Sequence, residues 1–311
     1  MNARKFVREA VAEIRETVRD ERAISALSGG VDSSVVTALG HRALGDRLEV
    51  IFIDDGLMRQ DEPREVKEAF GEMGIKVRVI NAKKRFFAAL AGLTDPEDKR
   101  KAFRHTFYEV FGEAVKKSGA CFLLQGTIAP DVIETKGKVK TQHNVLDQIG
   151  ISAKGKYGFQ VIEPIKTLYK PGVRRVARAL GLPKAFSERM PFPGPGLMTR
   201  CVGEATPRRI EIVRRACKIA EEETTRYKPF QAFGVLLADK ATGLTKAGKR
   251  HYGDIVVIRC VQSKDAMTAT ATKLSWPVLE RIRERVLEAC PTVTKVLLDI
   301  TGKPPSTIEY I

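Results

Sequence analysis

Ser28-Gly29-Gly30-Val31-Asp32-Ser33-Ser34 constrains this chain more than any other segment. It follows the apolar run Ala23-Ile24-Ser25-Ala26-Leu27 and precedes a helical pattern at Val35, Val36, Ala38, Leu39 and Leu44. The order is therefore strand, tight turn, helix start. Two adjacent glycines let the backbone turn sharply and bring amide N–H groups close to an anion. The helix N-terminus behind them adds unpaired donors and a favourable dipole, and Ser28, Ser33 and Ser34 add hydroxyls. Asp32 puts a carboxylate where a polyphosphate would want only cations, which makes sense if Mg2+ bridges the acid to phosphate oxygens. The turn reads as a cradle for the phosphates of a nucleotide. The plainer alternative, a strand-to-helix turn with a serine N-cap, suits a lone glycine pair better than this string.

Two other segments imitate a phosphate loop of the Walker kind. Gly150 with Gly155-Lys156, and Gly243 with Gly248-Lys249, fit the first part of that pattern. Tyr157 and Arg250 follow, so the hydroxyl that would hold Mg2+ is missing from both.

With 311 residues, 43% of them hydrophobic, the chain has material for one large domain or two ordinary ones, and its composition supports a real core and argues against disorder. No signal peptide and no run of ~20 apolar residues is visible. The five cysteines (Cys121, Cys201, Cys217, Cys260, Cys290) are scattered and contain no Cys-x-x-Cys pair. That points to reduced thiols in a cytoplasmic protein, without a disulfide framework or a zinc site. The formal charge of +16 suits nucleic acid, anionic small molecules, an acidic protein partner or mere solubility, and does not choose among them. Its denser stretches, such as Lys83-Lys84-Arg85 and Arg174-Arg175, read as solvated helix faces.

Phe6, Val7, Ala10, Val11, Ile14 and Val18 predict an amphipathic first helix. Strands are expected at 23–27, 48–53, 76–80, 121–125 and 159–162, alternating with helices near 32–44, 63–73, 96–117 and 171–180. Such alternation implies an α/β fold with a parallel sheet. Ligands in such sheets bind at the carboxyl ends of strands, where the strand order reverses. The Gly29-Gly30 turn, Asp54-Asp55-Gly56 and Gln125-Gly126-Thr127 all fall at strand ends of this kind. The segment 126–158 lacks apolar periodicity and reads as a lid, a binding loop or a surface loop. Pro191-Phe192-Pro193-Gly194-Pro195-Gly196 excludes helix and central strand and marks a domain boundary, giving domains 1–190 and 191–311. The second is read as a smaller α+β unit, with a helix at 207–224, strands at 230–238 and 254–261, a helix at 277–289 and a strand at 293–300. An open sheet of this sort often pairs with a second copy.

The glycine string resembles the PP-loop of ATP pyrophosphatases, which split ATP into AMP and pyrophosphate. Further blocks narrow the resemblance to the ATP-pyrophosphatase half of GMP synthetase, in the stand-alone form without a glutaminase domain. They are Asp55-Gly56-Leu57-Met58-Arg59, Asp95–Lys101, Gln125–Glu134, Pro191–Leu197 and the tail Gly302–Glu309, in the order of that family and across nearly the whole chain. The resemblance implies an α/β adenine-nucleotide α-hydrolase-like domain followed by a smaller α+β dimerisation domain, with ATP and Mg2+ as cofactors. It also implies the chemistry. The O2 of xanthosine monophosphate (XMP) attacks the α-phosphorus of ATP, pyrophosphate leaves, and ammonia then displaces AMP to give GMP.

Roles follow by resemblance. Ser28, Gly29, Gly30, Val31, Asp32, Ser33 and Ser34 would hold ATP and its pyrophosphate, Asp32 would bind Mg2+, and Gly126 would lie near adenine. Arg59, Gln231, Lys295, Lys303, Ile308 and Glu309 would contact XMP, with Lys303 on its phosphate and Glu309 accepting from ribose or base. For Lys303 and Glu309 the alternative is a solvated tail, which the stiffening prolines weaken. Asp131, Glu134, Lys140 and His143 would belong to a lid, where Lys140 reaches phosphate and His143 moves a proton, or else all four are ordinary exposed polar residues. The chain departs from the family where Gln142 replaces a histidine and where Lys295 replaces an arginine, keeping charge but losing the bidentate fork. The stretch 242–250 and the ending Glu309-Tyr310-Ile311 depart as well.

Only about 27 residues precede the PP-loop and no cysteine sits in a glycine-flanked elbow, so ammonia is expected from a separate glutamine amidotransferase subunit or from solution. A homodimer through the C-terminal domain is expected; a membrane or nucleic-acid partner is not. The competing readings are a PP-loop enzyme that modifies tRNA bases, which the charge would suit, and a nucleotide-binding regulator without chemistry.

Overall fold

The computed structural model describes residues 1–136, 160–187, 189–245, 247–264 and 266–311. In chain order the elements are α1 (Ala3–Val18), β1 (Ala23–Leu27), α2 (Val31–Leu44), β2 (Leu48–Asp54), α3 (Glu62–Glu72), β3 (Val77–Asn81), α4 (Lys83–Leu90), α5 (Pro96–Ser118), β4 (Phe122–Leu124), α6 (Ala129–Lys136), β5 (Gln160–Ile162), α7 (Lys170–Leu180), α8 (Lys184–Ser187), α9 (Pro207–Thr224), β6 (Gln231–Leu244), β7 (Arg250–Gln262), β8 (Thr270–Ala271), α10 (Trp276–Ala289) and β9 (Val293–Asp299). They form two compact units. The first takes residues 1–54, 62–81 and 108–189; the second takes 55–61, 82–107 and 190–311. The sequence reading divides the chain once, at 190/191, whereas two earlier excursions also cluster with the C-terminal segment.

The first unit is built on a parallel five-stranded sheet of order β3-β2-β1-β4-β5. The central strands β1 and β2 are almost wholly buried, as a parallel sheet requires. Order reverses at β1, whose successors lie on opposite sides: β2 on one flank, β4 on the other. α1, α2 and α7 pack against one another. α1 is fixed at its start by Asn2, whose side chain accepts from the Lys5 amide, and it buries Val7, Ala10, Ile14 and Val18. α7 opens with Pro171 in its first turn and closes on Gly181 in the left-handed region.

Segment 126–158 was expected to lack regular structure. Residues 129–136 instead form α6, and the Asp131 carboxylate accepts from the Ile128 amide at 2.9 Å, the acidic half of a capping box. About two turns without an apolar stripe leave little periodicity to detect. Residues 137–159, including Lys140, Gln142 and His143, lie outside the described residues.

The second unit has a mixed sheet: β6 and β7 form an antiparallel hairpin, β8 joins β7 antiparallel, and β9 joins β7 in parallel. α9 packs on β6 and β7, and α10 on α9 and β9. α9 starts at Thr206, whose hydroxyl accepts from the Arg209 amide, with Pro207 next. The hairpin is longer than expected, because 239–244 and 250–253 extend both strands. These residues are mostly exposed and carry no burial pattern to read. Cys121 is exposed and the other four cysteines are buried, all as free thiols. Among the described residues no helix is long and apolar enough to cross a membrane.

Candidate active site

The Gly29-Gly30 turn lies at the carboxyl end of β1, beside the reversal in strand order. Gly29 has φ +74°, and a methyl group built on it would lie 2.3 Å from Glu62 Oε1. Glu62, only 1% exposed, is held by Arg189 Nη1 at 2.7 Å. The turn is thus backed by buried Glu62 and its partner Arg189, which is half-buried, and position 29 strongly favours glycine. Gly30 precedes α2 in extended conformation and makes no side-chain cap. Three hydroxyls fold back instead. Ser33 Oγ lies 3.1 Å from Ser28 Oγ and donates to Gly30 O at 3.1 Å, and Ser34 Oγ donates to Gly30 O at 2.8 Å. Ser33 Oγ also accepts from the Ser28 amide at 3.2 Å.

Gly126 stands at the carboxyl end of the neighbouring strand β4. A methyl there would sit 3.1 Å from the Ser33 nitrogen and 3.2 Å from the Asp32 carbonyl carbon, so the two strand-end turns meet backbone to backbone. Asp32 occupies the first turn of α2. One of its carboxylate oxygens pairs with Lys170; the other is buried and, among the described residues, has no hydrogen-bond partner. A buried carboxylate oxygen without a donor suits a cation. Among the described residues no group of three or more His, Cys, Asp or Glu gathers that could hold a metal ion. Lys170 escaped the sequence reading. Its signal is a cation at the start of a helix, where the dipole is unfavourable unless an anion is near.

A second cluster lies within the other unit. The loop 55–61 docks on the Pro-Gly block through Leu197 N to Leu57 O at 2.7 Å and through Arg214, whose Nε reaches Met58 O at 3.0 Å. Arg59 stacks on Phe192 with its guanidinium 4.3 Å from the ring centre and donates to Met190 O and Glu221. Arg200, 1% exposed, makes a two-pronged pair with Glu309 at 3.0 and 2.9 Å and lies 4.2 Å from the centre of Phe233. Burial alone would lower its pKa, but the Glu309 carboxylate raises it above the ordinary arginine value. Gln231 Nε2 donates to Glu309 Oε1 at 2.8 Å and to Pro191 O at 3.0 Å. Both partners only accept, which fixes the amide orientation. Gln231 Oε1 is thereby left buried and, among the described residues, without a partner.

Lys303 Nζ donates to Ala266 O at 2.9 Å, keeping two N–H groups for another acceptor. Buried Lys99 donates to Cys201 O at 2.8 Å and to Gly203 O at 2.9 Å, just past Arg200 in the chain, and burial lowers its pKa. Arg59 and Gln231 both hold the segment 190–192, Gln231 also meets Glu309, and Arg200, absent from the sequence reading, pairs with Glu309 and faces Phe192. Lys295 stands apart, exposed on β9, and among the described residues it forms no ion pair. Asp131 serves α6 as its cap; Glu134 lies on the same helix.

The family description "GMP synthase C terminal domain" matches residues 218–310, and "NAD synthase" matches residues 2–105. Over its full length the chain is 52% identical to the B subunit of glutamine-hydrolyzing GMP synthase from Archaeoglobus fulgidus, covering 100% of both. It is 50% identical to the protein of the same name from Pyrococcus furiosus, over 98% of this chain and 97% of that one. Against the Methanopyrus kandleri protein of that name the identity is 47%, over 99% and 98%.

Glu62→Gln tests the clamp behind the turn. Leaving Arg189 with a neutral partner is expected to destabilise the fold by about 1–3 kcal/mol, read by denaturant unfolding. A change within error would show that the pair does not brace Gly29.

Proposed function

Because the chain belongs to the family of GMP synthase B subunits, we propose that it makes GMP from XMP, with the Ser28–Ser34 turn binding the phosphates of ATP and the Arg59–Gln231–Glu309 cluster binding XMP. It is a ligase. The purine O2 takes the adenylyl group with loss of pyrophosphate, and ammonia then displaces AMP at C2. Adenylylation turns a poor leaving oxygen into a good one. Negative charge grows on the departing pyrophosphate, so pre-aimed amides at the start of α2 and the Lys170 ammonium contribute most where that charge develops. Asp32 would hold Mg2+ through its unpartnered oxygen, and the ion would neutralise phosphate charge when bound.

On the substrate side, what supports the reading is the unspent hydrogen-bonding capacity of the cluster. Oε1 of Glu309 already accepts from Arg200 and Gln231, while among the described residues Oε2 accepts only from Arg200. One lone pair on Oε2 is left for a ribose hydroxyl. Gln231 Oε1 is an acceptor suited to a purine N–H, and Lys303 has donors for the substrate phosphate. Lys140, His143 and Glu134 stay proposals for the lid, and Gly126 for the adenine side. The nitrogen donor is a glutamine amidotransferase subunit, or ammonia taken directly, and the enzyme is cytoplasmic. The reading as a tRNA-modifying enzyme is not favoured by relatives that share the whole chain.

The single observation that carries the assignment is 52% identity over the entire length to a B subunit of GMP synthase. Purified protein given ATP, Mg2+, XMP and ammonium is expected to form GMP. RNA-dependent release of AMP, or tight nucleotide binding without turnover, would overturn the assignment. Asp32→Asn is expected to cut pyrophosphate release by about 10²-fold or more, and wild-type rates at saturating Mg2+ would count against the metal role.

A homodimer through the second unit is also proposed. β9 is an edge strand that exposes Leu297, Leu298 and, just beyond it, Ile300 at 75%. Sedimentation should give twice the chain mass, and Ile300→Asp together with Leu298→Asp should give monomers; a monomeric wild type ends the proposal.

A further inference from the structure

The tail that carries Lys303, Ile308 and Glu309 has little regular structure to hold it. Among the described residues, the backbone from 302 to 309 makes one bridge, between Lys303 and Ala269, and one turn, from Ser306 N to Gly302 O. Much of the remaining anchorage comes from one side chain. Arg259 projects from β7 and is wholly buried, at 0% exposure. Its Nη1 donates to Asp299 Oδ2 at 2.5 Å and to Thr301 O at 2.9 Å. Its Nη2 donates to Thr307 O at 2.7 Å, and its Nε to Ile308 O at 2.9 Å. One guanidinium thus closes the loop from 299 to 308, and its last acceptor is the carbonyl immediately before Glu309.

Asp299 is matched to this role. Burial would raise its carboxyl, but the Thr301 amide and hydroxyl and the Arg259 charge hold it below the usual carboxylate range. A buried cation is costly unless its donors are used, and here they face acceptors on three sides. Only the planar fork of arginine reaches all of them; an ammonium on a flexible stem cannot.

We propose that Arg259 is a positioning residue for the nucleotide monophosphate substrate. It fixes the register in which Glu309 meets Arg200 and Gln231, and in which Lys303 faces the substrate phosphate, without touching substrate itself. This rests on the reading of Lys303 and Glu309 as substrate contacts.

The test compares Arg259→Lys, Asp299→Asn, Lys303→Ala and Glu309→Gln in the ammonium-driven reaction. Arg259→Lys is expected to raise the KM for XMP about tenfold or more, to leave the KM for ATP within about twofold, and, when combined with Glu309→Gln, to raise the KM for XMP by less than the product of the two separate effects. Asp299→Asn, which loosens only one of the four bonds, should raise the KM for XMP severalfold and keeps the test alive if Arg259→Lys does not fold. If Lys303→Ala and Glu309→Gln raise the KM for XMP but neither Arg259→Lys nor Asp299→Asn does, the positioning role is wrong and the substrate site stands. The role is equally overturned if the KM values for ATP and XMP rise together, or if the effects of Arg259→Lys and Glu309→Gln simply add. If Lys303→Ala and Glu309→Gln leave the KM for XMP unchanged, the substrate-site reading itself fails, and the positioning role falls with it.

Discussion

Backbone amides at the start of a helix make an anion site only if the turn before them is held in place, and in this chain that depends on a residue without a side chain packed against a buried glutamate and its arginine partner. Glu62 and Arg189 close over Gly29 so tightly that no β-carbon fits. Behind the turn the parallel sheet sets the strand ends level, and the reversal of order at β1 brings Gly126 against Asp32 and Ser33. Sheet topology, turn conformation and phosphate chemistry are thus links of one chain of causes.

The second unit solves a different problem by a common device. The surface proposed for the substrate is made of irregular backbone, where carbonyls lack the partners that helices and sheets provide. Long cations supply them from inside. Lys99 gathers the carbonyls of 201 and 203, and Arg259 those of 301, 307 and 308, while Arg200 takes a carboxylate. Part of the basic excess of this chain is therefore structural, devoted to ordering loops rather than to meeting partners. Desolvation would make each such cation unfavourable alone, and dense hydrogen bonding offsets that cost.

Much of this was legible in the sequence. β1 and α9 fall at the residues expected of them, because their burial is strong and the glycine pair punctuates the end of β1 sharply. The PP-loop was legible for the same reason: its chemistry is local. What escaped was non-local or unpatterned. α6 is too short and polar to display a period, and the outer hairpin is too exposed. Lys170, Arg200, Lys99 and Arg259 act through partners far along the chain, so no window of sequence contains both ends of the interaction. Lys295 is the converse case: the resemblance gave it a role, and within one chain the fold leaves it exposed on β9.

The distribution of thiols has a practical corollary. Four sulfurs are shut inside the fold, and burial pushes the Cys217, Cys260 and Cys290 thiols up, away from the reactive thiolate form. Cys121 alone faces water, at the start of the segment leading into β4, where Glu21 slows it without hiding it. A maleimide dye added to the native enzyme would therefore mark one defined spot, giving a spectroscopic reporter without any engineering of the chain.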